Sequence, residues 1–184
     1  NYTNTQVSGR PAQGYAPAQG NPTNSFNQWF QRQLDMDKLK EYETADGLAS
    51  WNIRSNTNLR PLYWDSPYFS IMENVSDDDR DRIFGNYSLS YNVNENLQLT
   101  GKVHLDAYDF TIEDRIGSGG LDQDWYSVSQ RTRREVNYEA GAQFQQDFGQ
   151  LSVNVFAGAN LRQENYSGVA QYTMGGLSTP NYFN

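Results

Sequence analysis

Cysteine is absent from the 184 residues, which excludes disulfides, zinc–thiolate centres and thiol nucleophiles. Histidine occurs once, at position 104, on what reads as the polar face of a strand, where a solvated residue is expected rather than a catalyst. Basic side chains are scarce. Fourteen Lys and Arg stand against 22 Asp and Glu, and the net charge of −8 argues against nucleic acid as a partner. No apolar run approaches the roughly 18 residues that a transmembrane helix requires. That says nothing against a membrane barrel, whose strands alternate and whose average composition is polar. No signal peptide is recognisable. The opening NYTNTQVSG and the closing TPNYFN do not look like domain termini, so a piece of a longer protein is expected.

What is present is alternation. In 136–161, Val136, Tyr138, Ala140, Ala142 and Phe144 alternate with Asn137, Glu139, Gly141, Gln143 and Gln145. After a break at 146–150, Leu151, Val153, Val155, Ala157, Ala159 and Leu161 alternate with Ser152, Asn154, Gly158 and Asn160, and Phe156 is the one exception. Period two is the mark of a β-strand, and so short a break joins the strands as an antiparallel hairpin. Each run is roughly 9–11 residues, the length of a tilted strand crossing a bilayer, whereas a soluble strand is usually about 5–6. Two readings stay open on these strands alone, a membrane hairpin and a soluble sandwich hairpin.

Taken from its start, 1–23 is a polar stretch rich in Gly, Pro, Gln and Asn, expected as a loop or as an extended segment held by something outside the chain. Residues 24–42 read as one helix, with a Ser25–Gln28 capping box and an apolar stripe of Phe26, Trp29, Phe30, Met36 and Leu39. Self-packing of that stripe is favoured. The alternative makes Phe26, Trp29 and Phe30 a partner-docking face. Trp51, Tyr63, Trp64, Tyr68 and Phe69 form a dense aromatic patch, able to stack on sugars, bury peptides or knit a loop together. Asp77, Asp78 and Asp79 read as a solvated acidic run in preference to a calcium site, since EF-hand spacing is missing.

A second hairpin is expected over 82–113. Gly85, Tyr87, Leu89, Tyr91 and Val93, then Leu97, Leu99, Gly101, Val103, Leu105 and Ala107, form the apolar series. Lys102, His104 and Asp106 share the polar face and are the only acid–base candidates. They are expected to be solvated, so no enzyme, metal or cofactor is anticipated. Past Ala107 the phase flips, as expected where a strand leaves lipid. Residues 114–135 are expected as an external loop with a strand extension, whose Arg131, Arg133 and Arg134 are solvated or face anionic lipopolysaccharide. Residues 163–184 read as a further loop.

Connection lengths favour the membrane reading. Both tight turns, at 94–96 and 146–150, fall at one end of the strands, and the long segments 1–81, 114–135 and 163–184 fall at the other. Outer-membrane barrels sort their loops in this way, with short periplasmic turns and long extracellular loops. The expected fold is therefore all-β, a fragment of a large antiparallel transmembrane barrel supplying four membrane strands in two hairpins. Its lipid-facing residues are Leu97, Leu99, Val103, Leu105, Tyr138, Phe144, Leu151, Val153, Val155 and Leu161. Four strands cannot close in lipid, so the rest of the barrel must come from elsewhere.

The segments FNQWFQRQLDMDKLKEY, SPYFSIMENVSDDDRDRIFGNYSLSYNVNENLQLTGKV and GGLSTPNYFN resemble the barrel of SusC/RagA-type TonB-dependent transporters of Bacteroidetes. The resemblance runs from about residue 22 to 184, most specifically at 30–39, 79–101 and 175–184. It implies a barrel of about 22 strands with an N-terminal plug, located in the bacterial outer membrane. It also implies TonB-driven import of a glycan or peptide beneath a SusD-like lipoprotein lid, with Trp51, Tyr63, Trp64, Tyr68 and Phe69 as substrate or lid contacts. Neither plug nor TonB box lies in these residues, so energy coupling is not legible in them. The competing expectations are a soluble or surface β-rich adhesin or carbohydrate-binding domain, and a barrel enzyme or secretion component.

Overall fold

Proline is missing from 75–172, and alternating side chains keep the backbone extended there, so four long strands dominate the molecule. The computed structural model describes residues 1–11, 22–45 and 47–183, without the side chains at 24, 25, 28 and 29. In chain order the elements are β1 (Tyr2–Pro11), α1 (Pro22–Trp29), α2 (Met36–Lys40), β2 (Glu43–Thr44), β3 (Gly47–Leu48), β4 (Ile53–Ser55), β5 (Asn58–Pro61) and α3 (Pro67–Met72). Then come β6 (Val75–Asn92), β7 (Leu97–Ile116), β8 (Trp125–Phe148) and β9 (Leu151–Tyr172). The sheet order is β1-β6-β7-β8-β9, and two small ribbons pair β2 with β3 and β4 with β5. The large sheet is antiparallel and open. Its edges among the described residues are β1 and β9.

The chain divides into two units. The first comprises Asn1–Thr5, Arg80–Phe110 and Arg131–Gly168, and the second Gln6–Asp79, Thr111–Gln130 and Val169–Asn184.

In the first unit, side-chain pairs fix both register and face. Arg133 meets Glu164, Arg162 meets Glu135, Asn160 meets Asn137 and Gln143 meets Asn154, so β8 and β9 run in one unslipped register. Thr100 reaches the Gly141 carbonyl, His104 lies by Glu139, and Arg82 grips Asp106, which brings β6 and β7 onto the same face. This face is polar and ionic. By alternation, Leu97, Leu99, Val103, Leu105, Tyr138, Phe144, Leu151, Val153, Val155 and Leu161 share the opposite face. The tight turns at 93–96 and 149–150 belong to this unit. In the first, the Asn94 side chain accepts from the backbone N–H groups of Asn96 and Leu97. In the second, Gly149 takes φ of +70°, open to glycine at no steric cost.

The N-terminal segment corrects the expectation of a loop. It is a fifth strand, so the sheet is not simply two hairpins. In the first unit the Asn1 backbone nitrogen donates to the Phe84 carbonyl at 2.9 Å, the Phe84 N–H donates to the Asn1 carbonyl at 3.0 Å, and Tyr2 and Asn4 donate to Asp81. In the second unit Gln6 donates to Asp79 and Ser8 to Asp77, while Arg10 pairs with Asp78 at 3.1 Å. Gly9 has φ of +67°, and its N–H also donates to Asp77 at 2.7 Å. The acidic run is thus the acceptor row for a polar strand, not a freely solvated patch. The Gly9 N–H first, then the Ser8 hydroxyl and the Arg115 charge, hold the Asp77 carboxyl below the ordinary carboxylate range against the effect of burial. Residues 12–21 of the expected loop lie outside the described residues.

The single helix expected over 24–42 is two short ones. The Leu34 N–H closes a turn on the Gln31 carbonyl. Asp35 then adopts an extended conformation and accepts from Asp37 and Lys38 N–H, capping α2 afresh. α1 already begins at Pro22, so Ser25 lies within the helix and not at its start, and the expected Ser25–Gln28 box is not its cap; the Trp29 side chain lies outside what is described. The loop expected from 114 narrows to 117–124, the strand extension expected up to 135 is the first part of β8, which begins at Trp125, and β9 runs on to Tyr172 where a loop was expected from 163.

The second unit is organised around Phe69, which is 2% exposed. Its ring lies against Gly117 and Gly120, where a Cβ would come within 3.3 and 2.8 Å of ring atoms, and Tyr42 meets it edge-on at 5.8 Å. Buried polar groups complete this core. Asn74 accepts from Gly117 N–H at 2.9 Å, Asp65 accepts from Leu121 N–H at 3.1 Å, and Ser66 donates to the Leu39 carbonyl.

Candidate functional site

The aromatic patch is assembled by one side chain, Asn52. Its Oδ1 accepts from Tyr63 and Trp64 N–H at 2.7 and 2.8 Å, and its Nδ2 donates to Ser50 Oγ and the Trp64 carbonyl. This clamp closes the β4–β5 ribbon and brings Trp51 near 63–64. Trp51 packs edge-on against Phe26 at 5.7 Å, and Phe26 lies 5.2 Å from Phe30. Phe30 and Tyr63 are more than half exposed. The indole N–H groups of Trp51 and Trp64 are buried without an acceptor among the described residues.

The five aromatics read together in the sequence therefore separate. Tyr63 is open, Trp51, Trp64 and Tyr68 are half-buried, and Phe69 is a core residue. Burial removes Phe69 from any role in contacting a ligand. Tyr42, which sequence reasoning did not single out, is its partner, and the Tyr42 hydroxyl donates to Glu73 at 3.1 Å.

The polar face of the first unit holds the other candidates. Asp106 is gripped by Arg82 at 2.8 and 2.6 Å, and His104 Nε2 lies 3.5 Å from Glu139 Oε1. Arg133, Glu135, Arg162 and Glu164 close a four-membered ionic ring at 2.7–3.0 Å. The Arg80 guanidinium stacks 4.7 Å from the Tyr108 ring. Lys102, His104 and Asp106 share this face without converging on a common point, and the carboxylate is already engaged by arginine. Arg133, expected to be solvated or against lipopolysaccharide, lies in the ionic ring. Arg134 alternates to the opposite face and is exposed.

Phe156, the exception to the alternation, has a structural cause. It stands on the polar face opposite Gly141, and its ring covers both Gly141 and Gly158. A Cβ at either glycine would lie 2.9–3.0 Å from ring carbons. An aromatic laid over strand glycines replaces the packing they lack.

In the second unit the 117–124 loop is tied down by carboxylates of opposite character. Burial pushes Asp65 up to about 6, with the Asp122 charge adding to the effect against the Leu121 hydrogen bond. Hydrogen bonds from Ser118 Oγ and Leu177 N–H hold Asp124 below the ordinary range. The folded state binds more protons than the unfolded state between about 3.8 and 6 at Asp65. Stability from this group is therefore full below that window and falls as pH rises through it. Raising the pH from 5 to 7 is expected to loosen the loop by about 1.3 kcal/mol, and Asp65→Asn to flatten that dependence. Hydrogen exchange at Leu121 N–H across this range is the measurement, and exchange independent of pH-driven opening in the wild type would refute it. Asp124 acts in the opposite sense, losing its contribution below about 4.

Comparison with models of known protein families and with curated proteins finds no match to this chain.

Proposed function

We propose that this chain is part of the wall and outer loops of a TonB-dependent outer-membrane nutrient importer that takes up a glycan or peptide with a SusD-like surface lipoprotein. The observation that carries the reading is the pair of faces on the four long strands. One face is a continuous apolar series, and the other is a ladder of amides and ion pairs suited to a wet lumen. The strands have 18–24 residues, against the roughly 9–11 that cross a bilayer. The surplus residues extend the wall beyond the lipid. The sorting of connections adds support, since the tight turns belong to the first unit and the loops with helices to the second.

In this reading β1 and β9 pair with further strands of the same barrel, because an open edge in lipid leaves backbone groups unpaired. Transport requires no covalent chemistry, so Lys102, His104 and Asp106 act as lumen wall. Trp51, Tyr63, Trp64 and Tyr68 offer surface to substrate or lid. TonB acts through a plug outside these residues, and lipid and lipopolysaccharide surround the apolar face.

The test is extraction of the native protein from outer membranes in detergent, with intact mass and co-purifying partners. A membrane-embedded chain several times longer than 184 residues, co-purifying with a lipoprotein, is the expected result. A lone soluble species needing no detergent would refute the importer and favour an adhesin or carbohydrate-binding domain. Within the importer reading, Trp64→Ala combined with Tyr68→Ala is expected to lower uptake or lid association severalfold. Unchanged transport and unchanged association would remove the patch from that role.

A further inference from the structure

We propose that the Phe156 ring, with Thr100, Lys102, Glu139 and Asn160 around it, is a sugar-stacking subsite on the polar wall, for one pyranose unit of a passing glycan. The inference rests on the importer reading and selects the glycan from its two substrate classes. Phe156 is 70% exposed although it sits among amides and charges. One side of its ring rests on Gly141 and Gly158, which leaves the other free to receive a ligand. A groove of about 540 Å³ opens along it, rimmed by Thr100, Lys102, Glu139 and Asn160.

The chemistry of that rim selects the ligand. A pyranose presents a face of axial C–H groups to an aromatic ring and a belt of equatorial hydroxyls around it. The belt meets an ammonium, a carboxylate, an amide and a hydroxyl, which between them donate and accept. An extended peptide cannot add here as a strand, because β8 is paired on both sides, by β7 and β9. An apolar side chain would need a dry, enclosed pocket, and this one is ringed by charge. Asn160 is held in place by Asn137 at 2.8 Å, and Glu139 lies beside His104, so the rim is pre-oriented.

The experiment is calorimetric titration of the full-length protein in detergent with maltoheptaose, cellohexaose, xylohexaose and mannohexaose, all chains of pyranose units, using pentaalanine as the peptide control. At least one oligosaccharide is expected to bind and pentaalanine not to. Phe156→Tyr should keep that affinity. Phe156→Leu still covers the two glycines but offers no flat face, and should weaken binding about tenfold. Should the leucine variant fail to insert, Asn160→Ala is expected to weaken binding severalfold through the lost hydroxyl contact. Absence of binding by all four sugars, or affinity equal to wild type in Phe156→Leu and Asn160→Ala, overturns the subsite. Failure of the importer reading registers separately, as a wild-type protein that leaves the membrane without detergent.

Discussion

Replacing Val155 by arginine is expected to cost about 2–4 kcal/mol of stability in the membrane, while Asn154→Arg costs about 1 kcal/mol or less. The two positions are neighbours in β9 and differ only in the face they occupy. Asn154 meets Gln143 across the polar face, which puts Val155 among Val153, Ala157 and Leu161 on the other. On the importer reading the second face meets hydrocarbon. A guanidinium held there must be desolvated or drag water and headgroups inward, and the penalty is largest near the bilayer midplane. On the lumen side an added arginine remains in water. Folding of both variants into detergent or lipid, titrated with urea and read by heat-modifiable mobility, measures the difference. A damaging Asn154→Arg beside a harmless Val155→Arg would invert the facing.

The second large effect belongs to the loop unit. Phe69→Ala is expected to cost about 3–5 kcal/mol there, because the ring is nearly inaccessible and its removal leaves a cavity under the 117–121 turn. Gly120→Ala should also destabilise, from the opposite direction. A methyl at that position would sit 2.8 Å from Phe69 and 2.9 Å from the Asp65 carboxylate, where neither neighbour has room to retreat. Trypsin reports the outcome conveniently, since Arg54, followed by Ser55, lies in the exposed strand β4. Rapid cleavage there in both variants is expected, with the sheet of the first unit intact. Resistance equal to wild type in Phe69→Ala would show that the ring is dispensable to this core.

The strands were legible where a physical asymmetry is written into every second residue. Leu97 to Ala107 and Leu151 to Leu161 separate apolar from polar so cleanly that face and register follow from the sequence. Tyr2–Pro11 carries no such asymmetry, because both its faces are polar. Its strand character comes from acceptors at Asp77, Asp79 and Asp81, about 70–80 residues away, and no local pattern encodes them. Tyr126–Glu135 also lacks an apolar face, yet it is readable as a strand extension, and β8 does begin at Trp125. The helix break was hidden because Asp35 serves equally as a solvent-facing helix residue or as a fresh cap, and only the turn at Gln31–Leu34 decides. Among the site residues, aromatic density pointed to the right segment. It could not tell Phe69, which fills the core, from Tyr63, which leaves it, because burial depends on Gly117 and Gly120 coming from a distant loop. Phe156 was visible as an anomaly, and its explanation needed the neighbouring strand.

The pairing of β1 with β6 bears on the order in which the sheet is built. β6–β7 and β8–β9 are joined by turns of a few residues and can zip as they emerge. β1 ends at Pro11, whereas its partner β6 begins 64 residues later. Closing a flexible segment of that length carries an entropy cost of roughly 3–4 kcal/mol before the first cross-strand bond forms. Among these five strands β1 therefore joins β6 last, and its row of donors to Asp81, Asp79 and Asp77 forms only after the intervening segment has drawn its ends together. A polar strand tolerates that wait. It exposes no apolar edge while unpaired, so delay brings little risk of pairing with another chain.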